Sequence, residues 1–169
     1  MKLKFVINKL MLLLVIVLIT GCSVSKEQAI ELAKASFEVG VSEEAKEQNQ
    51  TTDLFSYYLP ADLQVEEITE NNLILSKGDQ LFLIFSNPAE GSLSQVNFEQ
   101  DKLVEEKAIL IEKQEIDGLF SYIIVSPFED GKYKVIVGIG GEKGTTVTEI
   151  GDFKNSVDTL LDIIKSIKY

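Results

Sequence analysis

Histidine, arginine and tryptophan are missing from the 169-residue chain, which has one cysteine and three prolines. Without His there is no imidazole to act as a general base near neutral pH, no Ser-His-Asp triad and no imidazole metal ligand. Without Arg there is no planar fork to hold a phosphate or carboxylate through two parallel hydrogen bonds. A lone cysteine, Cys22, excludes an intramolecular disulfide framework, so the fold must be held by its core. Positive charge is scarce as well. All 16 basic side chains are Lys, and three of them, Lys2, Lys4 and Lys9, stand in the acid-free stretch before residue 22. From residue 22 onward 13 Lys face 27 acids, a formal charge of −14. Such a surface repels nucleic acid and anionic headgroups, so no nucleic-acid partner is expected. Carboxylates, Lys, Ser, Thr and Tyr remain for chemistry. That is a thin kit for an enzyme, and no catalytic residue, cofactor or metal is expected.

What is present begins with a charged start and an unbroken apolar run from Leu10 to Ile19. Ten residues fall well short of the roughly 20 that a bilayer-spanning helix needs. A basic start, a short apolar core and a small-residue exit are the marks of a secretory signal. The exit, Leu18-Ile19-Thr20-Gly21-Cys22, resembles the lipobox of bacterial lipoproteins, with Ile19 and Thr20 standing where leucine and alanine or serine are commoner. The resemblance implies cleavage between Gly21 and Cys22 and a diacylglycerol thioether on Cys22. The mature chain would then sit at the extracytoplasmic face of the cell membrane. Two acyl chains suffice for stable anchoring, at about 0.8 kcal/mol per buried methylene. Acylation would also remove the one thiol from any nucleophilic role.

The chain divides into a signal peptide (1–21), a lipidated N-terminus with a helix and polar linker (22–53), and an α+β domain (54–169). Ser25 and Gln28 read as a capping box. Ile30, Ala33, Phe37 and Val41 then recur at helical spacing, predicting a helix from Lys26 to about Val39, with Gly40 weakening its end. Past Leu54 the apolar runs are short and separated by turn signals. Strands are predicted over 63–69, 73–77 and 81–86, joined at Asn71-Asn72 and Gly78-Asp79 as an antiparallel meander. The stretch 93–107 is the least legible, with Asp101 placed to cap a short helix through Lys107. Further strands are predicted over 109–115, 119–125, 133–139 and 145–150, with Asp117-Gly118 as the turn between the first two. A closing helix follows Asp152, with Val157, Leu160, Leu161, Ile164 and Ile167 on one face.

Strands grouped together with helices set apart predict an α+β fold, an antiparallel sheet of about six strands packed against N- and C-terminal helices. The opening Phe55-Ser56-Tyr57-Tyr58-Leu59-Pro60 and the closing helix through Ile164-Lys165-Ser166-Ile167 resemble PsbP-like domains and DcrB-like lipoproteins. In place of their usual Gly-Trp after the proline, Ala61-Asp62 stand here. The resemblance implies a sheet sandwiched by helices and a binding or accessory role. It carries over no catalytic residue.

Four constellations invite chemistry. The glycine-rich segment from Gly138 to Thr146 lacks the Lys-Ser/Thr pair of a phosphate loop and sits between strands, so it reads as a turn joining the last two. Glu129-Asp130-Gly131 lacks the alternating acids of a calcium loop and reads as an acidic hairpin turn. Glu66-Glu67 and Glu105-Glu106 would need to share a cleft to act as an acid/base pair; in so acidic a chain they read as solvated faces. Phe55, Tyr57 and Tyr58 offer either a ligand cleft or an ordinary core strand. The expected function is a non-catalytic, membrane-anchored binding or accessory module with a membrane or cell-wall-associated protein partner. Binding of a small ligand or cation is the alternative, and a carboxylate-based wall hydrolase a more distant one.

Overall fold

The computed structural model describes residues 24–169; Gly21 and Cys22, which carry the cleavage and lipidation expectations, lie outside the described residues. Helix α1 (Lys26–Ser42) opens on the expected capping box. Ser25 Oγ accepts from the Gln28 amide at 3.2 Å, and Gln28 Oε1 accepts from the Ser25 amide at 3.1 Å. It does not fade at Gly40. A Cβ there would lie 2.7 Å from Leu161 Cδ1, so the glycine marks a close helix–helix approach and the helix continues to Ser42.

An extended strap then leads to a small antiparallel ribbon, β1 (Gln50–Thr51) with β2 (Ser56–Tyr57). The main sheet contains β3 (Gln64–Ile68), β4 (Asn72–Lys77), β5 (Gln80–Ser86), β6 (Leu110–Ile116), β7 (Leu119–Pro127), β8 (Tyr133–Ile139) and β9 (Glu142–Thr148). Its order is β3-β4-β5-β9-β8-β7-β6, antiparallel throughout. It is thus two meanders joined where β5 pairs β9, giving seven strands where about six were expected. The β4–β5 turn falls at Gly78-Asp79 as predicted, and the β3–β4 turn at Glu70-Asn71, one residue ahead of the predicted Asn71-Asn72. Gly78 has φ +58°, and Asp117 and Gly118 have φ 53° and 76°, the left-handed pair that a tight hairpin requires. The last strand begins at Glu142, ahead of the predicted Thr145.

The connection from β5 to β6 carries a short helix, α2 (Val96–Val104). Asp101 was expected to start this helix and instead lies inside it. Its carboxylate is taken by Tyr122 and Lys143 of the sheet, at 2.6 and 2.9 Å, and so is not available to cap a helix.

The closing helix, α3 (Phe153–Ser166), packs with α1 on one face of the sheet. The two helices run in parallel over the C-terminal half of α1, since Ser36 donates to Asp158 and, further along both helices, Lys165 Nζ donates to the Gly40 and Glu43 carbonyls. Between helices and sheet lies one continuous core. Phe37, Leu160, Leu161 and Ile164 cover Leu73, Leu75, Phe82, Ile84, Ile123, Val125, Val135 and Val137. Each such side chain contributes roughly 1.5–3 kcal/mol of burial. The helix ahead of Leu54 is part of this same core.

Candidate functional site

The second face of the sheet is covered over half its width. Under α2, Phe98 meets Phe120, Tyr122, Ile124 and Ile136 in a small apolar cluster, its ring 5.3 Å from that of Tyr122. Polar contacts hold the rest of α2. Asp101 takes the Tyr122 hydroxyl and the Lys143 ammonium; Glu105 takes Lys134 at 2.6 Å and Ser126; Asn97 donates to the Gly141 carbonyl at 3.2 Å. Burial alone would raise the Glu105 carboxyl. The bonds from Lys134 and Ser126, with the lysine charge, outweigh it and hold the group below its ordinary value.

One cross-strand row makes the contrast visible. Ile124, Ile136, Thr145, Leu83 and Ile74 are successive partners across β7, β8, β9, β5 and β4. The first two are buried beneath α2. Leu83 is 43% exposed, and Leu81 on the same strand face is 55% exposed. On α2 itself, Val104 is 73% exposed. On the far border, the Glu66 carboxylate accepts from Ser76 Oγ, and Glu67 and Glu70 are exposed. The open half is therefore apolar in the middle and acidic along its β3 edge.

The glycine-rich segment is a packing device. Ile139 pairs with Glu142, so Gly140 and Gly141 are the turn itself. The space where each missing Cβ would sit is occupied. At Gly138 it is the Tyr122 ring, 2.0 Å away; at Gly140 and Gly141 it is the backbone of the 87–92 loop, with Gly91 O at 2.8 Å and Asn87 O at 2.6 Å; at Gly144 it is Leu160 Cδ2, at 2.7 Å. Gly140 also has φ +54°, which the turn requires.

Beside this turn, at the C-terminal end of α1 and α3, lies a cleft of about 400 Å³. Ile139, Ile164 and Ile167 form its apolar wall, and Glu90, Glu142 and Tyr169 stand at its polar side. The Tyr169 hydroxyl is 2.5 Å from Glu142 Oε1 and 2.6 Å from Ser86 Oγ. Burial raises the Glu142 carboxyl above its ordinary value, against the lowering effect of those two hydroxyls. Burial likewise lowers the Lys165 ammonium, whose protons go to the Gly40 and Glu43 carbonyls. Neither Glu142 nor Tyr169 stands out in the sequence, because only the fold brings the last residue onto the start of β9.

The other predicted residues separate. Glu105 is clasped to the sheet while Glu106 is exposed, and Glu66 is bonded to Ser76 while Glu67 is exposed, so neither pair shares a cleft. Glu129–Gly131 is a turn with Asp130 at φ 55°. Among the described residues no group of three His, Cys, Asp or Glu side chains is placed to hold a metal ion, and no helix is long and apolar enough to cross a membrane. Phe55 and Tyr57 are buried in the main core, and Tyr58 is half-buried with its amide donating to Ser166 Oγ. Compared with protein-family models, with curated proteins and with solved structures, the chain finds no match.

Proposed function

We propose that this chain is a lipid-anchored, non-catalytic accessory module that docks on a membrane or cell-wall-associated protein through the open half of its sheet. The observation that carries the reading is the row Ile74, Leu83 and Thr145, which continues a buried row into a partly exposed one that nothing among the described residues covers. A contiguous exposed apolar patch with a polar rim is the usual mark of an interaction surface, and Leu81 and Leu83 lie exposed side by side on one strand face here. The acidic edge at Glu66, Glu67 and Glu70, on a chain of net charge −11, selects a partner whose apolar patch is rimmed by Lys or Arg. It also disfavours a second copy of the same acidic chain.

The anchor is read from Gly21-Cys22, three residues ahead of Ser25. With Cys22 acylated, the start of α1 lies at the bilayer. The 17-residue helix then sets its far end roughly 25 Å away along the helix axis. Cys22→Ser should abolish acylation, seen as the loss of a diacylglycerol mass, and move the protein out of the detergent phase; unchanged mass and retention would sink the anchor. For the docking face, a photo-crosslinking residue at Leu83 should capture one protein in native membranes. The same residue at Leu32, exposed on α1, should capture none, and salt should weaken capture at Leu83. The same products from both positions would overturn the assignment of the face.

A further inference from the structure

A second feature, independent of the docking face, is the cleft beside the Gly140-Gly141 turn. Its polar side is rich in acceptors and poor in free donors. Glu43, Glu90 and Glu142 all line it, against one cation, Lys165, two of whose protons are spent on the carbonyls of Gly40 and Glu43. Tyr169 gives its hydroxyl proton to Glu142 Oε1. The other oxygen of that carboxylate, Oε2, is shielded from solvent and makes no hydrogen bond of normal geometry among the described residues, although the Ser86 hydroxyl lies near the carboxylate. A buried acceptor left unpaired costs about 1–3 kcal/mol, so a donor that reaches it is favoured. The opposite wall is aliphatic, from Ile139, Ile164 and Ile167. Tyr169, whose hydroxyl bonds Glu142 and Ser86 and whose ring makes an edge contact with Phe55, is 61% exposed, and a donor reaching Oε2 requires its ring to swing aside.

We propose that this cleft binds a small primary ammonium carried on a short aliphatic body. The ammonium donates to Glu142 Oε2 and the carbons lie along the isoleucine wall. A carboxylate ligand would meet three like charges, and a neutral alcohol would forgo the charge-assisted bond that distinguishes this site. An inorganic cation would leave the apolar wall unused.

The test uses the full chain in detergent micelles with ¹³C-labelled isoleucine methyls, titrated with n-butylammonium chloride. Saturable shifts are expected at Ile139, Ile164 and Ile167 and none at Ile111, exposed on the far edge strand β6. n-Butanol, sodium butyrate and potassium chloride at matched concentration should produce no saturable shift. Glu142→Gln should weaken butylammonium roughly tenfold or more, the change expected when one charge-assisted hydrogen bond is lost. If that variant fails to fold, Glu90→Gln, at the rim, should weaken binding in the same direction by a smaller factor. Saturation by butanol or potassium chloride alone, affinity unchanged in the folded Glu142→Gln variant (or, failing that, in Glu90→Gln), or no saturable shift at all would each overturn the proposal.

Discussion

The two faces of the one sheet are built on different principles. On the face under α1 and α3, large aliphatic and aromatic side chains pack on one another in a continuous core. On the other, α2 is held by one phenylalanine and a set of carboxylate, hydroxyl and amide bonds, and the strands beyond it are open. Apolar burial is non-directional and additive. Polar clasps fix position but contribute little net free energy, since water competes for the same groups. The first face therefore supplies stability. The second supplies a defined, partly exposed surface whose pieces can be altered without unfolding the domain.

The sharpest way to break the comparison is to put a charge under α3. Ile164 is 2% exposed and faces Gly144 of β9, with its Cγ2 methyl 3.4 Å from where a Cβ would stand. Ile164→Asp places an unpaired charge there. The expected cost is about 3–5 kcal/mol, a large share of the roughly 5–15 kcal/mol that holds a domain together. Thermal or urea unfolding measures it. A variant melting with the parent would mean that α3 does not carry the main core.

Two glycines refine the contrast, one packed against each face. A Cβ at Gly138 would run into the Tyr122 ring at 2.0 Å, whereas at Gly144 it would meet the end of Leu160 at 2.7 Å. An aromatic ring tied by its hydroxyl to Asp101 has no easy retreat, while a leucine methyl can rotate away. Gly138→Ala should therefore cost about 1–3 kcal/mol, the usual range for overpacking, and release α2. Gly144→Ala should cost less and leave α2 in place. Unfolding curves, with amide exchange across 96–104, separate the two outcomes. Equal costs would show that the tyrosine clasp is not rigid.

Much of the first face was legible in the sequence because it rests on local rules. Ser25 and Gln28 announce a helix start, Gly78-Asp79 and Asp117-Gly118 announce hairpins, and Val157, Leu160, Leu161 and Ile164 fall on one stripe. The second face was opaque for a physical reason. In α2 the apolar residues Val96, Leu103 and Val104 point outward and only Phe98 and Asn97 are buried, so the periodicity that marks a core helix is missing. Gly40 misled because a glycine in a helix reads as weakness until the partner Leu161 is known. The glycine-rich segment was readable as a turn, but what fills its missing side chains comes from 87–92, Tyr122 and Leu160, all distant in sequence.

Acid should act on the second face before the first. Glu105 is held below its ordinary value of 4.5 in the folded chain. A depressed carboxyl adds stability above the unfolded pKa, and that contribution is lost as pH falls through the folded one. As pH falls from about 4.5 through the lower folded value, then, the stabilisation from the bonds to Lys134 and Ser126 is lost while the aliphatic core is untouched. Amide exchange in 96–104, corrected for the intrinsic pH effect, should accelerate about tenfold, with β7 and β8 still protected. Glu105→Gln at pH 7 should reproduce the change. Uniform loss of protection across both faces would mean that the clasp and the core unfold as one unit.

The smallest expected change in stability is also the most informative about function. Leu83 sits in the middle of the open half, between Ile74 and Thr145. Replacing it with Lys removes little buried surface, since it is already 43% exposed. The new ammonium joins an acidic surface that tolerates it, so the expected shift stays within about 0.5 kcal/mol. Its effect on docking should be large for two reasons. It interrupts the apolar strip, and it sets a like charge against a partner chosen for its basic rim. Leu83→Lys should thus melt with the parent and lose partner capture, whereas Leu83→Met, which preserves apolar volume, should retain both. A Lys variant that still captured the partner would move the docking surface off this face. One that melted several degrees lower would show instead that the open half is structural, and that the two faces of the sheet are more alike than their composition suggests.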